Sequence, residues 1–198
     1  ACSIALYDGA ERIAHDHRIL GRGHAEHLVP MIAALPDRGR AQRILVSLGP
    51  GSFTGVRIGI AAARALGLAW RTEVLGYPTL ALVAASAADA DPAAAHAVTV
   101  CMNGGHGEWF LADFKDGHAA GSLRSLTPEA ARERGAQGVI AGNRASDFAE
   151  LLGGGHRAIN LLPDAGMTHL LNTADCTRDI APIYGRGPDA TPQPAVRA

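Results

Sequence analysis

The residue types best able to do chemistry gather at positions 48–59, Leu-Gly-Pro-Gly-Ser-Phe-Thr-Gly-Val-Arg-Ile-Gly. Gly49, Pro50, Gly51, Ser52, Phe53, Thr54 and Gly55 join a short apolar run to a long helical stretch. Such a turn lets backbone approach another group closely, and a helix start with a capping Ser52 or Thr54 suits an anion. The specific anion and nucleophile motifs are not met. A phosphate-binding P-loop needs a Lys after its second Gly. A dinucleotide loop needs Gly where Thr54 stands, and a nucleophile elbow needs Gly where Pro50 stands. As generic chemistry the segment reads as a structural strand-to-helix turn.

The other candidates read more plainly. His24 and His27 are spaced i, i+3 with Glu26 between them, which is not the i, i+4 spacing of a helical zinc pair. They read as a solvated helix start, with no metal and no catalytic residue assigned. Asp8 reads as a hairpin-turn residue. Arg38, Arg40 and Arg43, with Arg64 and Arg71, read as solvated charge suited at most to phosphate positioning. The cysteines, Cys2, Cys101 and Cys176, are widely spaced and odd in number, which argues against a disulfide framework or zinc ribbon and for a reducing, cytoplasmic setting.

These residues need positioning elements. Residues 2–7 and 11–18 read as a hairpin around Asp8-Gly9. Residues 24–35 read as a helix with Pro30 inside it, 43–48 as a buried strand, 54–70 as a long helix, 74–77 as a strand and 79–88 as a helix capped by Thr79. A polar link at 89–95 separates residues 1–95 from 96–198. The second part repeats the pattern, with strands at 97–101, 107–114 and 118–125, a helix opened by Thr127-Pro128-Glu129, then strand 138–141, helix 145–152, strand 158–161, helix 164–174 and a Pro-rich tail from Pro182. Each part is a mixed sheet covered by helices. The second has three strands before its first helix and the first has two, so a strand of about ten residues is expected ahead of Cys2. On the long helix Gly55, Gly59, Ala63 and Gly67 recur every four residues. That flat stripe fits either close packing on the chain's own sheet or contact with a partner helix.

Composition bounds the answer. The chain has 198 residues, 47% hydrophobic and 19% charged, with a net charge of -1. A packed core is within reach, and a global basic field for nucleic acid is excluded. The apolar runs are too short to span a membrane.

The 49–59 segment, followed by an Ala- and Gly-rich helix and Leu75-Gly76-Tyr77-Pro78-Thr79-Leu80, resembles the bacterial TsaB family of tRNA threonylcarbamoyladenosine (t6A) biosynthesis proteins, also called YeaZ-type, glycoprotease-like or M22 peptidase-like. His24 to Pro30 resembles the family's first helix start, and Gly107-Glu108-Trp109-Phe110 resembles its GEVY strand. Pro182-Ile183-Tyr184-Gly185-Arg186, with Pro188-Asp189-Ala190, resembles its end. Asn103-Gly104-Gly105 replaces the family's Asp-Ala-Arg, which removes a carboxylate and an arginine.

The resemblance implies a duplicated actin-like ATPase (ribonuclease H-like) fold whose first strand precedes this chain. It implies a non-catalytic scaffold or activator subunit for threonylcarbamoyl transfer to N6 of adenosine 37 in tRNA. The partners would be a TsaD-like catalytic subunit and a TsaE-like ATPase, with a homodimer when alone and tRNA touched only indirectly. Helices 24–35 and 55–70 would form the contact, through Leu28, Met31 and Ile32 and through Ile58, Gly59, Ala62, Ala63 and Leu66. No cofactor is implied, and weak ATP or ADP binding in the complex is left open. The alternative is a nucleotide-binding, kinase-like enzyme or an M22-type metallopeptidase.

Overall fold

The computed structural model describes residues 1–20 and 23–185. The first half opens with the hairpin β1 (Cys2–Asp8) and β2 (Glu11–Arg18), followed by helix α1 (His24–Ala34), strand β3 (Arg43–Ser47), helix α2 (Phe53–Trp70) and strand β4 (Glu73–Tyr77). β1 and β2 pair antiparallel, from Cys2 opposite Arg18 to Asp8 opposite Glu11. β3 and β4 pair in parallel, Arg43 opposite Glu73 through Ser47 opposite Tyr77. These are two separate two-stranded sheets. Among the described residues β1 pairs only with β2, and β3 only with β4, so each keeps one edge without a strand partner.

Helix α3 (Thr79–Ala90) and the short α4 (Pro92–His96) lead into the second half. Its elements are β5 (Ala97–Gly105), β6 (Glu108–Lys115), β7 (His118–Ala119), β8 (Arg124–Leu126), α5 (Pro128–Arg134), β9 (Val139–Ala141), α6 (Ala145–Leu151) and β10 (Ala158–Ile159). They form one mixed sheet in the order β10-β9-β5-β6-β7, with β8 also on β6. Central β5 is parallel to β9 and antiparallel to β6.

The period-2 pleat divides the apolar residues of β5 and β6 between two cores. Val98, Val100, Phe110, Ala112 and Phe114 face Leu80, Val83, Ala84 and Ala87 of α3. Cys101, Trp109 and Leu111 face Ala131, Ala145 and Phe148 of α5 and α6. The Trp109 and Phe148 rings meet edge-on at 5.7 Å. Helix α3, which follows β4 in the chain, thus spends its apolar face on the second sheet. The core of the first half is thinner: Val46, Leu48, Ile60 and Ala63, with Ile44, Val56 and Val74 packed around them.

Several expectations are corrected locally. Residues 89–95 are not an open link, because Asp91 accepts from the Ala93 N–H at 3.0 Å and caps α4. Pro78, not Thr79, is the N-cap of α3; the Thr79 hydroxyl instead meets the Ser47 hydroxyl at 2.5 Å. The strand expected at 118–125 is split into β7 and β8 around Gly121, whose φ is +133°. Residues 164–174 form two 3-10 turns, Ala165–Leu170 and Thr173–Asp175. There Asp164 and Asn172 accept from the N–H groups two residues on, which favours a tight turn over a continuing helix. Pro30 lies inside α1, which continues to Ala34.

After β10 the chain returns to the first half. Ala165–Leu170 packs on the β1–β2 hairpin: the Tyr7 hydroxyl and Arg12 Nη1 both donate to the Gly166 carbonyl, at 2.6 and 2.9 Å. Thr177 bridges Gly76 antiparallel. Arg178 pairs with Glu73 at 2.7 Å, and Ile180 and Ile183 join the thin core.

Candidate functional site: the helix pair and motif loop of the first half

The motif loop is built around two buried peptides. The Leu48 N–H donates to the Tyr77 carbonyl, and the Thr79 N–H donates to the Gly49 carbonyl at 2.8 Å. The Ile183 N–H donates to the Leu48 carbonyl at 2.7 Å. Gly49 has φ +99°, and a Cβ there would lie 2.6 Å from the Ile183 carbonyl oxygen. A side chain would therefore meet both backbone strain and a backbone atom that cannot step aside. The Gly49–Pro50 peptide is cis. Gly51, Ser52, Phe53 and Thr54 are exposed, and Ser52 caps α2 by accepting from the Gly55 N–H at 3.4 Å.

Two sequence stretches that carry separate motifs meet on this surface. Phe53, 58% exposed, lies 5.8 Å from the ring of Tyr184, 49% exposed. Arg57 places its guanidinium 3.7 Å over the Phe53 ring and donates to the Tyr184 hydroxyl at 3.0 Å. Among the described residues the Phe53 ring and the Tyr184 ring and hydroxyl hold this cation. Arg186, Pro188, Asp189 and Ala190 lie outside the described residues.

The small-residue stripe of α2 is turned inward. Ala63 and Gly67 are buried. A Cβ on Gly67 would collide with Val74 Cγ2, and one on Gly59 would sit 3.8 Å from Val46 Cγ2. The stripe brings α2 close to β3 and β4 of its own chain, the first of the two readings that its spacing allows. Met31 on α1 is 2% exposed and packs inside the chain as well. Leu28, Ile32, Ile58, Gly59, Ala62 and Leu66 are half-buried. As folded, Met31 and Ala63 offer almost no surface to another molecule. The outward face of α2 carries Arg57, Ala61, Arg64, Ala65, Leu68 and Ala69 instead. Leu68 is 83% exposed and Val29 on α1 is 63% exposed. Outward-facing positions are lost when small residues are read as a contact stripe without a facing element to assign them to.

The remaining candidates disperse. His24 and His27 are half-buried in the first turn of α1. Asp8 is exposed in the β1–β2 turn. Arg43 pairs with Glu73 at 3.1 Å, Arg64 donates to the Ile180 carbonyl, and Arg71 closes α2 with φ +55°. Asn103 and Gly105 flank a register shift in β5, where the Asn103 N–H donates to the Asn143 side chain at 2.9 Å. Burial pushes the thiol of Cys101 up to about 12, while Cys2 and Cys176 are only half-buried.

One cluster was not anticipated from the sequence. His15 and His17, two apart on β2, meet Asp164 from the returning segment. Burial raises the Asp164 carboxyl, but the Gly166 N–H and the two imidazoles outweigh it and hold the group below the usual carboxylate range. The alternation His-Asp-His on a strand was the available signal; the third member lies 149 residues from His15.

The chain is similar to known proteins over most of its length. Residues 15–132 match the family model described as TsaD: tRNA N6-adenosine threonylcarbamoyltransferase. The tRNA threonylcarbamoyladenosine biosynthesis protein TsaB of Escherichia coli is 37% identical over 92 residues, 44% of this chain and 39% of that protein. The matched stretch thus spans about two fifths of that relative's length. An uncharacterized Mycobacterium tuberculosis protein is 30% identical over 204 residues, covering 90% of this chain and 85% of its own. The solved structure of YeaZ from Pseudomonas aeruginosa superposes with a TM-score of 0.73 at 26% identity, covering 92% of this chain and 93% of that one. The mixed sheets and covering helices fit the actin-like fold class expected from the resemblance.

Proposed function

The chain belongs to the TsaD family and is of TsaB/YeaZ type, and from that premise we propose that it is a non-catalytic scaffold or activator subunit in t6A synthesis on tRNA. It binds a TsaD-like catalytic subunit and works with a TsaE-like ATPase. Alone it self-associates through the same surface, in the cytoplasm, and it meets tRNA only through the complex. It carries no resident nucleotide; ATP or ADP binding is weak and confined to the complex.

The observation that carries this reading is the outer face of α1 and α2. Val29 and Leu68 stand in solvent there, and Ala61, Ala65 and Ala69 leave the α2 backbone accessible to a second helix at close range. The glycines on the inner side hold α2 against its own strands, so this face is presented on a fixed support. Among the interface residues expected from the resemblance, Leu28, Ile32, Ile58, Ala62 and Leu66 border it. The test is size-exclusion chromatography with light scattering, alone and mixed with the same organism's TsaD-like protein. A one-to-one complex should form, and Leu68→Glu should weaken it by about tenfold or more while leaving the folded chain's stability within about 0.5 kcal/mol. Undiminished complex formation by Leu68→Glu combined with Val29→Glu would place the contact elsewhere.

A finer reading of the fold accompanies this one. Four strands precede α5 in the second half and two precede α1 in the first, and nothing among the first half's described residues corresponds to β5. In our reading a strand antiparallel to β1 and parallel to β3 completes the first sheet. The bare edges of β1 and β3 support it. Amide exchange at those edges should be fast in this chain, and should slow when an extended apolar strand is supplied ahead of Ala1. Exchange unchanged by that addition would refute it.

A further inference from the structure

His15, His17 and Asp164 bring together a ligand set that the t6A reading does not use. The strand pleat puts His15 and His17 on one face of β2, since side chains two apart share a face. Asp16 and Arg18 occupy the other, paired with each other at 2.6 Å. Asp164 opens the 3-10 turn that lies against this hairpin. One carboxylate oxygen is 2.6 Å from His15 Nε2 and accepts from the Gly166 N–H at 2.8 Å. The other is 3.1 Å from His17 Nδ1. One donor atom from each residue lies within 4.8 Å of the other two.

The support around the three is specific. Tyr7 and Arg12 hold the Gly166 carbonyl, and the Ala165 N–H donates to Ser3 Oγ at 2.9 Å. A Cβ on Gly166 would lie 2.9 Å from the His15 ring, so the turn and the imidazole are packed as closely as the residue types allow. His17 turns its Nδ1 to Asp164, and its Nε2 is buried with no hydrogen-bond partner among the described residues. His15 and His17 are both half-buried or better at the side chain, at 26% and 22% exposure, and Asp164 is at 22%. That is sheltered enough to fix geometry and open enough to admit an ion.

We propose that His15, His17 and Asp164 bind one divalent transition cation of the zinc class, clamping the β1–β2 hairpin to the segment that returns from the second half. Two imidazoles and one carboxylate suit such an ion, at about 2.0–2.2 Å per bond, with a further position left to water. Metal bonds of that length ask the donors to part to roughly 3.3 Å, a shift of under an ångström from the His15–Asp164 contact. The neighbouring cation, Arg12, is engaged by the Gly166 carbonyl. The role is structural: the ion joins segments far apart in the chain through metal–ligand bonds in place of hydrogen bonds, so that binding adds directly to folding stability.

The test uses the whole, tag-free chain, stripped with a chelator and titrated with Co2+ and then Zn2+. One equivalent of Co2+ should develop visible absorption that Zn2+ abolishes. Zn2+ at a hundredfold excess over its Kd should raise the Tm by roughly 5–10 °C. His15→Gln with His17→Gln should remove both effects. Asp164→Asn, which keeps a turn-capping side chain, should weaken binding by at least the about 10–100-fold that losing a ligand's partner costs. His24→Gln with His27→Gln should change neither. A chain with no cobalt spectrum, or one whose binding survives the His15 and His17 changes or depends on His24 and His27, overturns the proposal.

Discussion

The two halves of the molecule differ in how their strands come together: one mixed sheet in the second, two separate strand pairs among the described residues of the first. In the second half β5 runs through the centre of the sheet, with β9 on one side and β6 on the other. Its residues feed apolar cores on both faces, and Val100, Cys101, Leu111, Ile140 and Phe148 are fully buried. In the first half the β1–β2 and β3–β4 pairs stand apart, and a thin cluster around Val46, Leu48 and Ile60 does the work of a core. A central strand therefore does more than add hydrogen bonds. It gives helices on both faces a common surface; among the described residues the first half shows no such strand, α3 packs on the second sheet, and residues 165–183 come back to cover the first.

The contrast can be broken by unequal damage. Phe148→Ala should cost about 3–5 kcal/mol, since it empties a closed site between α6 and Trp109. Ile60→Ala should cost less, nearer 2 kcal/mol, because its surroundings are thinner and can close over the gap. Urea denaturation midpoints of the two variants measure this, and equal costs would mean that the first half is packed as tightly as the second. A smaller effect sharpens the point. Gly49→Ala should destabilise by about 1–3 kcal/mol, through the positive φ and the approach of Ile183. It should also raise proteolytic cutting within residues 176–183 ahead of global unfolding. A loss of stability with no local loosening there would mean that the returning segment does not depend on the motif loop.

Much of this was legible in the residues. The Asp8-Gly9 hairpin, the strand–loop–helix around Gly49 and Ser52, and the Thr127 cap with Pro128 all follow from local chemistry, because each depends on residues a few positions apart. What was not legible depends on distant partners. The Gly59, Ala63 and Gly67 stripe fits two destinations equally well until Val46 and Val74 are seen beneath it. Asp164 and Gly166 read as part of a helix because Arg12 and His15, which crowd Gly166, are remote in sequence. The exposed Phe53, Arg57 and Tyr184 cluster joins two motifs that were noticed separately. Outward-facing Leu68 drew no notice in an Ala-rich helix where every position looks alike.

The returning segment also sets a clock. Tyr7 and Gly166 are 159 residues apart. At about 5–20 residues per second, a ribosome needs roughly 8–30 s to make the second after the first. Through that interval the newly made first half has its hairpin without the turn that holds it, and Leu48 without Ile183 against its carbonyl. The half synthesised earliest is therefore the last to be finished, and its exposed strand edges must be kept from wrong pairings for that time.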